Sequence, residues 1–101
     1  MRHEKLVRDK IPEIIEASGR IAKARVLSDG EYRIQLEKKL SEEVAEYQKD
    51  KAPEELCDIL EVVFALAKTH GITREELEKM RMAKSDKRGA FDKKIYLIEA
   101  E

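Results

Sequence analysis

The chain has 101 residues, of which 43% are charged, 42% hydrophobic and only 5% aromatic. This length suits a single domain, residues 1–101, and the composition favours an all-α fold over disorder. The net charge of −1 argues against binding to a nucleic-acid polymer, which requires a basic surplus.

Cysteine usage and hydropathy indicate the cellular setting. Cys57 is the only cysteine, so no intramolecular disulfide can form and a reducing compartment is expected. The N-terminal sequence MRHEKLVRDK lacks an apolar signal-peptide core. The longest apolar run, residues 62–67, is too short to span a bilayer. These features predict a cytoplasmic protein with no membrane partner.

The first third of the chain predicts one short and one long helix. Pro12 suits the first helical position, and we expect a helix over residues 12–17. Residues 21–27 could form a short extended segment. Ser28 and Glu31 match a capping box, which predicts a long helix reaching about Gln48.

The next predicted helix, residues 53–70, has an unusual apolar surface. From residue 59 to residue 67 its only polar residue is Glu61, so the helix is apolar nearly all round. Helices of this kind are buried on several sides. A chain of this size has few other elements to cover it, so we expect an oligomer in the form of a symmetric dimer.

The C-terminal third contains a further helix and a tail. Gly71 predicts a helix stop, and Thr73 with Glu76 forms a second capping box. A helix should therefore run from residue 74 to about Lys84. The tail contains a second candidate extended segment, residues 93–98.

Four acidic residues border the apolar faces of the two central helices. At 100° per residue, Glu43 and Glu46 fall beside the apolar stripe of the first, whereas Glu55 and Asp58 fall within or at the edge of that of the second. A short turn makes the two helices antiparallel neighbours. Carboxylates that converge in a partly dry site repel one another, and Mg²⁺ or Mn²⁺ would relieve this repulsion.

A purely structural interpretation of these acids competes with a metal site. Acidic residues number 22 of 101, so roughly one or two chance matches to two such acidic pairs are expected. Glu55 is also a first-turn acid that favours the helix dipole. Spacing alone favours chance, and the position beside apolar stripes is what points to a site.

The same residues carry a resemblance to a known family. Glu42-Glu43-x-x-Glu46 followed by Glu55-x-x-Asp58-Ile59 resembles the metal-binding signature of the all-α, MazG-like nucleoside triphosphate pyrophosphohydrolases, which include phosphoribosyl-ATP pyrophosphohydrolase. The stretches LVRDKIPEII, KKLSEEVAEY and KSDKRGAF look like one branch of this family. The eight residues between Glu46 and Glu55 are fewer than in many members.

This resemblance implies a four-helix bundle assembled across a homodimer or homotetramer and a Mg²⁺-dependent cleavage of the α–β phosphoanhydride of a nucleotide. Glu43, Glu46, Glu55 and Asp58 would hold the metal, and Glu43 or Glu46 could accept the proton of the attacking water.

Two basic clusters are candidates for binding the substrate phosphates. They consist of Lys5, Arg8 and Lys10 near the N-terminus, and of Lys84, Lys87 and Arg88 in a stretch that resembles the family's glycine-containing substrate loop. The structural alternatives are a solvated charge cluster for the first and a helix C-terminus for the second.

Three functions follow as hypotheses. The leading one is a nucleoside triphosphate pyrophosphohydrolase that removes non-standard nucleotides. The second is phosphoribosyl-ATP hydrolysis in histidine biosynthesis. The third, from a different class, is a non-catalytic helical oligomer that serves as a binding module and whose acids are surface charge or a regulatory cation site.

Overall fold

The fold was described from a computed structural model, which covers residues 4–101. This part of the chain contains four helices and no strand, so the predicted all-α fold is confirmed. In chain order the helices are α1 (Ile11–Ala17), α2 (Asp29–Asp50), α3 (Glu54–Thr69) and α4 (Arg74–Arg88). The candidate extended segments, residues 21–27 and 93–98, form no strand within this described part.

α1 begins one residue earlier than predicted, at Ile11. Pro12 occupies its first turn, where its missing N–H requires no partner. Gly19 follows the helix with φ +86°, a conformation that glycine adopts without steric cost, and its N–H bonds back to the carbonyl of Glu16. α1 buries none of its residues.

The predicted capping box at the start of α2 is confirmed. The Glu31 N–H donates to Ser28 Oγ at 3.3 Å, and the Ser28 N–H donates to Glu31 Oε1 at 3.3 Å. Arg25 Nη2 donates to Glu31 Oε2 at 2.9 Å. The Arg25 hydrogen bond, followed by those from Ser28, lowers the pKa of Glu31 to about 2.

α2 continues to Asp50, two residues beyond the predicted end. Lys51 ends it in the left-handed conformation, with φ +57°, and its N–H donates to the Tyr47 carbonyl at 2.7 Å. Only three residues, 51–53, separate α2 from α3. Such a short connection makes the two helices an antiparallel hairpin.

The packing of α2 on α3 creates the core. Leu36 on α2 and Val62 and Ala67 on α3 are the buried hydrophobic residues of the described chain. At the end of the hairpin away from the turn, the Arg33 guanidinium donates to the Thr69 carbonyl. This carbonyl lies at the C-terminus of α3, where carbonyls have no hydrogen-bond partner within the helix. The hairpin is therefore joined by apolar packing along its length and by a polar contact at one end.

α4 is longer than predicted. The Thr73–Glu76 capping box is present, and the Arg74 guanidinium lies over the Phe64 ring at 4.2 Å. The helix extends past Lys84 to Arg88, where the Gly89 N–H donates to the Ser85 carbonyl at 2.7 Å. The predicted end near Lys84 is wrong because no helix-breaking residue precedes Gly89.

The chain exposes far more surface than a compact monomer of its size. Its accessible surface is 9493 Å², whereas a folded monomer of 11.7 kDa is expected to expose about 5,900 Å². Its radius of gyration is 17.8 Å, compared with about 13 Å for a compact domain of this length. Large apolar side chains lie exposed on α3, at Leu56 and Leu60, and in the tail, at Phe91, Tyr96 and Ile98.

The four helices differ from a bilayer-spanning segment in length or in hydropathy. Among residues 4–101, none of the helices has both the length and the apolar content to cross a membrane.

Candidate metal centre

Three carboxylates meet at the turn of the α2–α3 hairpin. Glu46 and Asp50 come from the end of α2 and Glu55 from the start of α3, and one oxygen of each lies within 4.8 Å of the other two. We call these three residues the turn cluster. It exists because Glu46 and Asp50 are four residues apart, on one face of α2, and the short turn returns the chain so that Glu55 faces them.

One oxygen of Glu55 is buried without a hydrogen-bond partner. Glu55 Oε2 is inaccessible to solvent and forms no hydrogen bond. Burial raises the pKa of the Glu55 carboxyl to about 7, and the neighbouring acids Asp50, Glu46 and Asp58 act in the same direction. An unpaired carboxylate oxygen is costly, so the site is incomplete as a set of protein groups alone.

The backbone adds to the negative potential at the turn cluster. Glu46 and Asp50 lie in the last turns of α2, at the negative end of its dipole. Lys51 Nζ lies over the Tyr47 ring, 5.9 Å from the centroid, and forms no ion pair with these carboxylates. Among residues 4–101, none of the ion pairs includes a member of the turn cluster.

The structure brings two of the four predicted metal ligands together and leaves the other two apart. Glu46 and Glu55 come together in the turn cluster. Glu43, only 17% exposed, instead lies 3.6 Å from Lys39 Nζ, one turn earlier on α2. Asp58 accepts a hydrogen bond of 2.7 Å from Arg8 Nη2. The two residues outside the cluster are thus each engaged by a cationic side chain.

The six predicted phosphate-binding residues lie in three different settings. Arg8 pairs with Asp58, three residues after Glu55 on α3. Lys5 and Lys10 are exposed in the same N-terminal segment. Lys84, Lys87 and Arg88 are exposed on the last turns of α4, so they belong to a helix and not to a loop.

Asp50 is the member of the turn cluster that the sequence analysis missed. Residues 49–52 were expected to form a turn, which removed Asp50 from consideration as a helical residue. Its position four residues after Glu46 was the available signal, since this spacing places both carboxylates on one helix face if the helix continues.

The donors in the turn cluster fit a hard divalent cation. All of them are carboxylate oxygens, the ligand type preferred by Mg²⁺ and Mn²⁺. The unpaired Glu55 Oε2 supplies a buried lone pair that no protein group satisfies. The carboxylates of α2 and α3 therefore offer oxygen ligands of the kind that such a cation binds.

Fold and site together define a class: an all-α protein with an oxygen-only candidate cation centre at a helical hairpin. No protein-family model matches the chain. An uncharacterized protein of Mycolicibacterium smegmatis is 63% identical over 41 residues, which cover 41% of this chain and 42% of that protein. No solved structure matches. The resemblance to the MazG-like enzymes therefore stays a prediction.

Proposed function

We propose that this protein is a Mg²⁺-dependent nucleoside triphosphate pyrophosphohydrolase of the MazG-like type. It cleaves the α–β phosphoanhydride to give a nucleoside monophosphate and pyrophosphate, and its physiological substrates are non-standard nucleotides. The observation that carries the proposal is the Glu55 carboxylate, which has a buried, unpaired Oε2 and meets two further carboxylates at the hairpin turn. A bound cation would relieve the repulsion among these carboxylates and satisfy the unpaired oxygen.

In this proposal Glu46, Asp50 and Glu55 would hold Mg²⁺, which when bound would neutralise charge on the phosphate oxygens and favour ionisation of a nearby water. The reaction forms a bond between a water oxygen and phosphorus while the bridging P–O bond breaks. A nearby carboxylate would accept the water proton, and in this proposal it is that of Glu43, three residues before Glu46 on α2.

The substrate phosphates need cationic donors, which the turn cluster lacks. Arg8 lies beside Asp58, three residues after Glu55, and could supply a guanidinium. Its planar donors suit phosphate oxygens. Lys5 and Lys10 are on the same segment, and Lys84, Lys87 and Arg88 would act if α4 of the same or another subunit approaches the ligand.

The functional unit in this proposal is a homo-oligomer. The excess accessible surface, roughly 3,600 Å² per chain above that of a compact monomer, exceeds one partner's share of an obligate interface, which buries about 2,000–5,000 Å² over both partners. Leu56 and Leu60 on α3 and the apolar residues of the tail supply an interface of suitable character. A monomeric mass in light scattering at micromolar concentration would overturn this part of the proposal.

A panel of nucleoside triphosphates, with phosphoribosyl-ATP included, tests the reaction. Each compound is incubated with the full chain and Mg²⁺, and pyrophosphate and monophosphate are measured. We expect turnover that requires Mg²⁺ and is lost in Glu46→Gln. Glu42→Gln is the matched control, because Glu42 is an exposed acid on the same helix whose partner is Lys39. Absence of turnover for every compound would overturn the proposal.

A further inference from the structure

The segment after α4 carries large apolar side chains that the chain itself leaves uncovered. Five of them are between 75% and 97% exposed: Phe91, Ile95, Tyr96, Leu97 and Ile98. We call residues 91–98 the arm. Because residues 95–98 are apolar without a break, their side chains point to more than one side in either a helical or an extended backbone. Only a position between two layers of protein covers such a segment.

An apolar stripe on α3 is uncovered as well. Leu56 and Leu60 are 46% and 50% exposed, and Val63 is half-buried. Intervals of four and three residues place these three side chains on one face of the helix. We call them the α3 stripe. α2 and α4 both pack against α3 and still leave much of this face open, so the described chain contains two unmatched apolar surfaces.

The two surfaces have opposite charge. Residues 84–94, which lead into the arm and form its first half, contain five basic and two acidic residues. Residues 54–67, which surround the α3 stripe, contain four acidic residues and no basic residue. Arg8 offsets one of these acids, because it pairs with Asp58. The remaining opposite charges attract the arm toward α3 and favour one orientation of it.

The apolar area of the arm matches what a dimer requires. An aromatic side chain buries about 150–250 Å², and an aliphatic one roughly 100 Å². The two aromatic and three aliphatic side chains of one arm therefore bury roughly 600–800 Å² when covered. Each partner in a standard protein interface contributes about 800 Å². One arm thus supplies most of one partner's share.

We propose that the arm crosses to a second copy of this chain and lies against its α3 stripe, so that two copies exchange arms. The inference rests on the homo-oligomer of the proposed function and adds how that oligomer is held together. Each chain has one arm and one α3 stripe, so reciprocal exchange uses both and closes with two-fold symmetry. The arm then lies between two chains, which cover it from both sides. Gly89, with φ +85°, permits the change of direction at which the arm leaves α4.

Cross-linking through Cys57 tests where the arm lies, because this exposed thiol is next to Leu56 on α3. Tyr96→Cys adds a thiol to the arm of the full chain, and a short bifunctional maleimide joins thiols that are close together. We expect a covalent dimer on a denaturing gel. The same substitution in a Cys57→Ser background should give none, and neither should Glu13→Cys, which places the thiol on α1.

Three results of the cross-linking would overturn the proposal. A cross-linked monomer would show that the arm covers its own chain. A covalent dimer that persists without Cys57 would place the two arms beside each other and away from the α3 stripe. Absence of any cross-link between Cys57 and the arm would show that the two surfaces do not meet.

Mixing two variants tests the exchange without added thiols. Leu97→Asp alters the arm and Leu60→Asp alters the α3 stripe. Each should weaken self-association, measured by analytical ultracentrifugation, by at least about tenfold, which is the effect of losing a central apolar contact. Met82→Asp is the matched control, because Met82 on α4 is 52% exposed and lies outside both surfaces. An equal mixture of the two variants should associate more tightly than either alone, since each mixed pair retains one intact arm and one intact stripe.

The outcomes separate the arm from the proposed function. If folded variants, checked by circular dichroism, associate no better when mixed, the exchange is overturned and other contacts hold the oligomer. A monomeric wild type would overturn both the arm and the oligomer of the proposed function. Pyrophosphate release by the same wild-type sample measures nucleotide hydrolysis separately, so the reaction can stand when the arm fails.

Discussion

Two acidic groups on α2 have opposite surroundings. In the middle of the helix, Lys39 Nζ lies 3.6 Å from both Glu42 and Glu43, so the carboxylates share a cation one turn away. At the end of the helix, Glu46 and Asp50 face Glu55, and no ion pair of the described residues includes them. Acid content is similar in the two groups, so what distinguishes the candidate metal centre is that no cationic side chain is paired with its carboxylates.

The largest expected difference between the groups is catalytic. Glu55→Gln should lower nucleotide turnover by more than about 100-fold, because loss of a direct ligand exceeds the effect of removing a group that merely orients one. Glu42→Gln should retain activity close to that of the wild type. Pyrophosphate release under saturating Mg²⁺ measures both. Equal losses in the two variants would remove the distinction between the groups.

Divalent cations should stabilise the folded protein by binding at the turn cluster and not at Glu42 and Glu43. Mg²⁺ at 100 times its dissociation constant should raise the free energy of unfolding by about 2.7 kcal/mol, since it binds only the folded protein. Thermal melts of the wild type and of Glu42→Gln should show this gain. In Glu55→Gln the gain should shrink or vanish, and a full gain in that variant would place the cation elsewhere.

The pH dependence of the metal-free protein should show which group lacks a partner. The pKa of Glu55 is about 7 in the folded chain, above its usual value of 4.5, so the folded state binds the proton more tightly. Its contribution therefore favours folding below pH 4.5 and is lost as the pH rises through 7. Glu55→Gln should be more stable than the wild type at pH 8, and the difference should disappear near pH 4.5.

Circular dichroism melts at pH 4.5, 6 and 8 measure this effect. Glu43→Gln is the matched control, because Glu43 already has Lys39 as a partner. It should gain no stability at pH 8. A difference between Glu55→Gln and the wild type that does not change with pH would contradict the assignment to Glu55 ionisation.

The smallest effect should come from making the two groups alike. Lys39→Met removes the shared cation and leaves Glu42 and Glu43 with like charges beside each other. We expect a loss of about 0.5 kcal/mol, since such pairs and repulsions are weak on a helix surface. Urea titration at low salt measures the loss, which 1 M NaCl should abolish. A loss above 2 kcal/mol, on the order of a buried network, would instead assign Lys39 a packing role.

The sequence predicted those parts of the fold that depend on neighbouring residues. Both capping boxes are local motifs, and the structure contains both. The predicted ends of α2 and α4 were wrong because each helix continues until a residue with positive φ, Lys51 or Gly89. Between the predicted and the observed end of each helix there is no glycine or proline to stop it.

The candidate site was predictable in part. Glu46 and Glu55 could be identified from their position beside apolar stripes. The pairing of Asp58 with Arg8 could not, since it joins residues fifty positions apart and depends on where the N-terminal segment lies. Asp50 was missed because its role requires the extra turn of α2, which the left-handed Lys51 permits.

The three-residue connection between α2 and α3 also restricts how this chain can vary. One residue inserted between Glu46 and Asp50 would rotate Asp50 by about 100° around α2, away from its neighbours. An insertion of about one full turn would leave Asp50 on the same face of α2 but would move it by about 5.4 Å along the helix, out of reach of Glu55. Length changes in homologues or engineered versions should therefore fall in the N-terminal segment, in residues 21–27 or in the tail, and the hairpin turn should keep a fixed length.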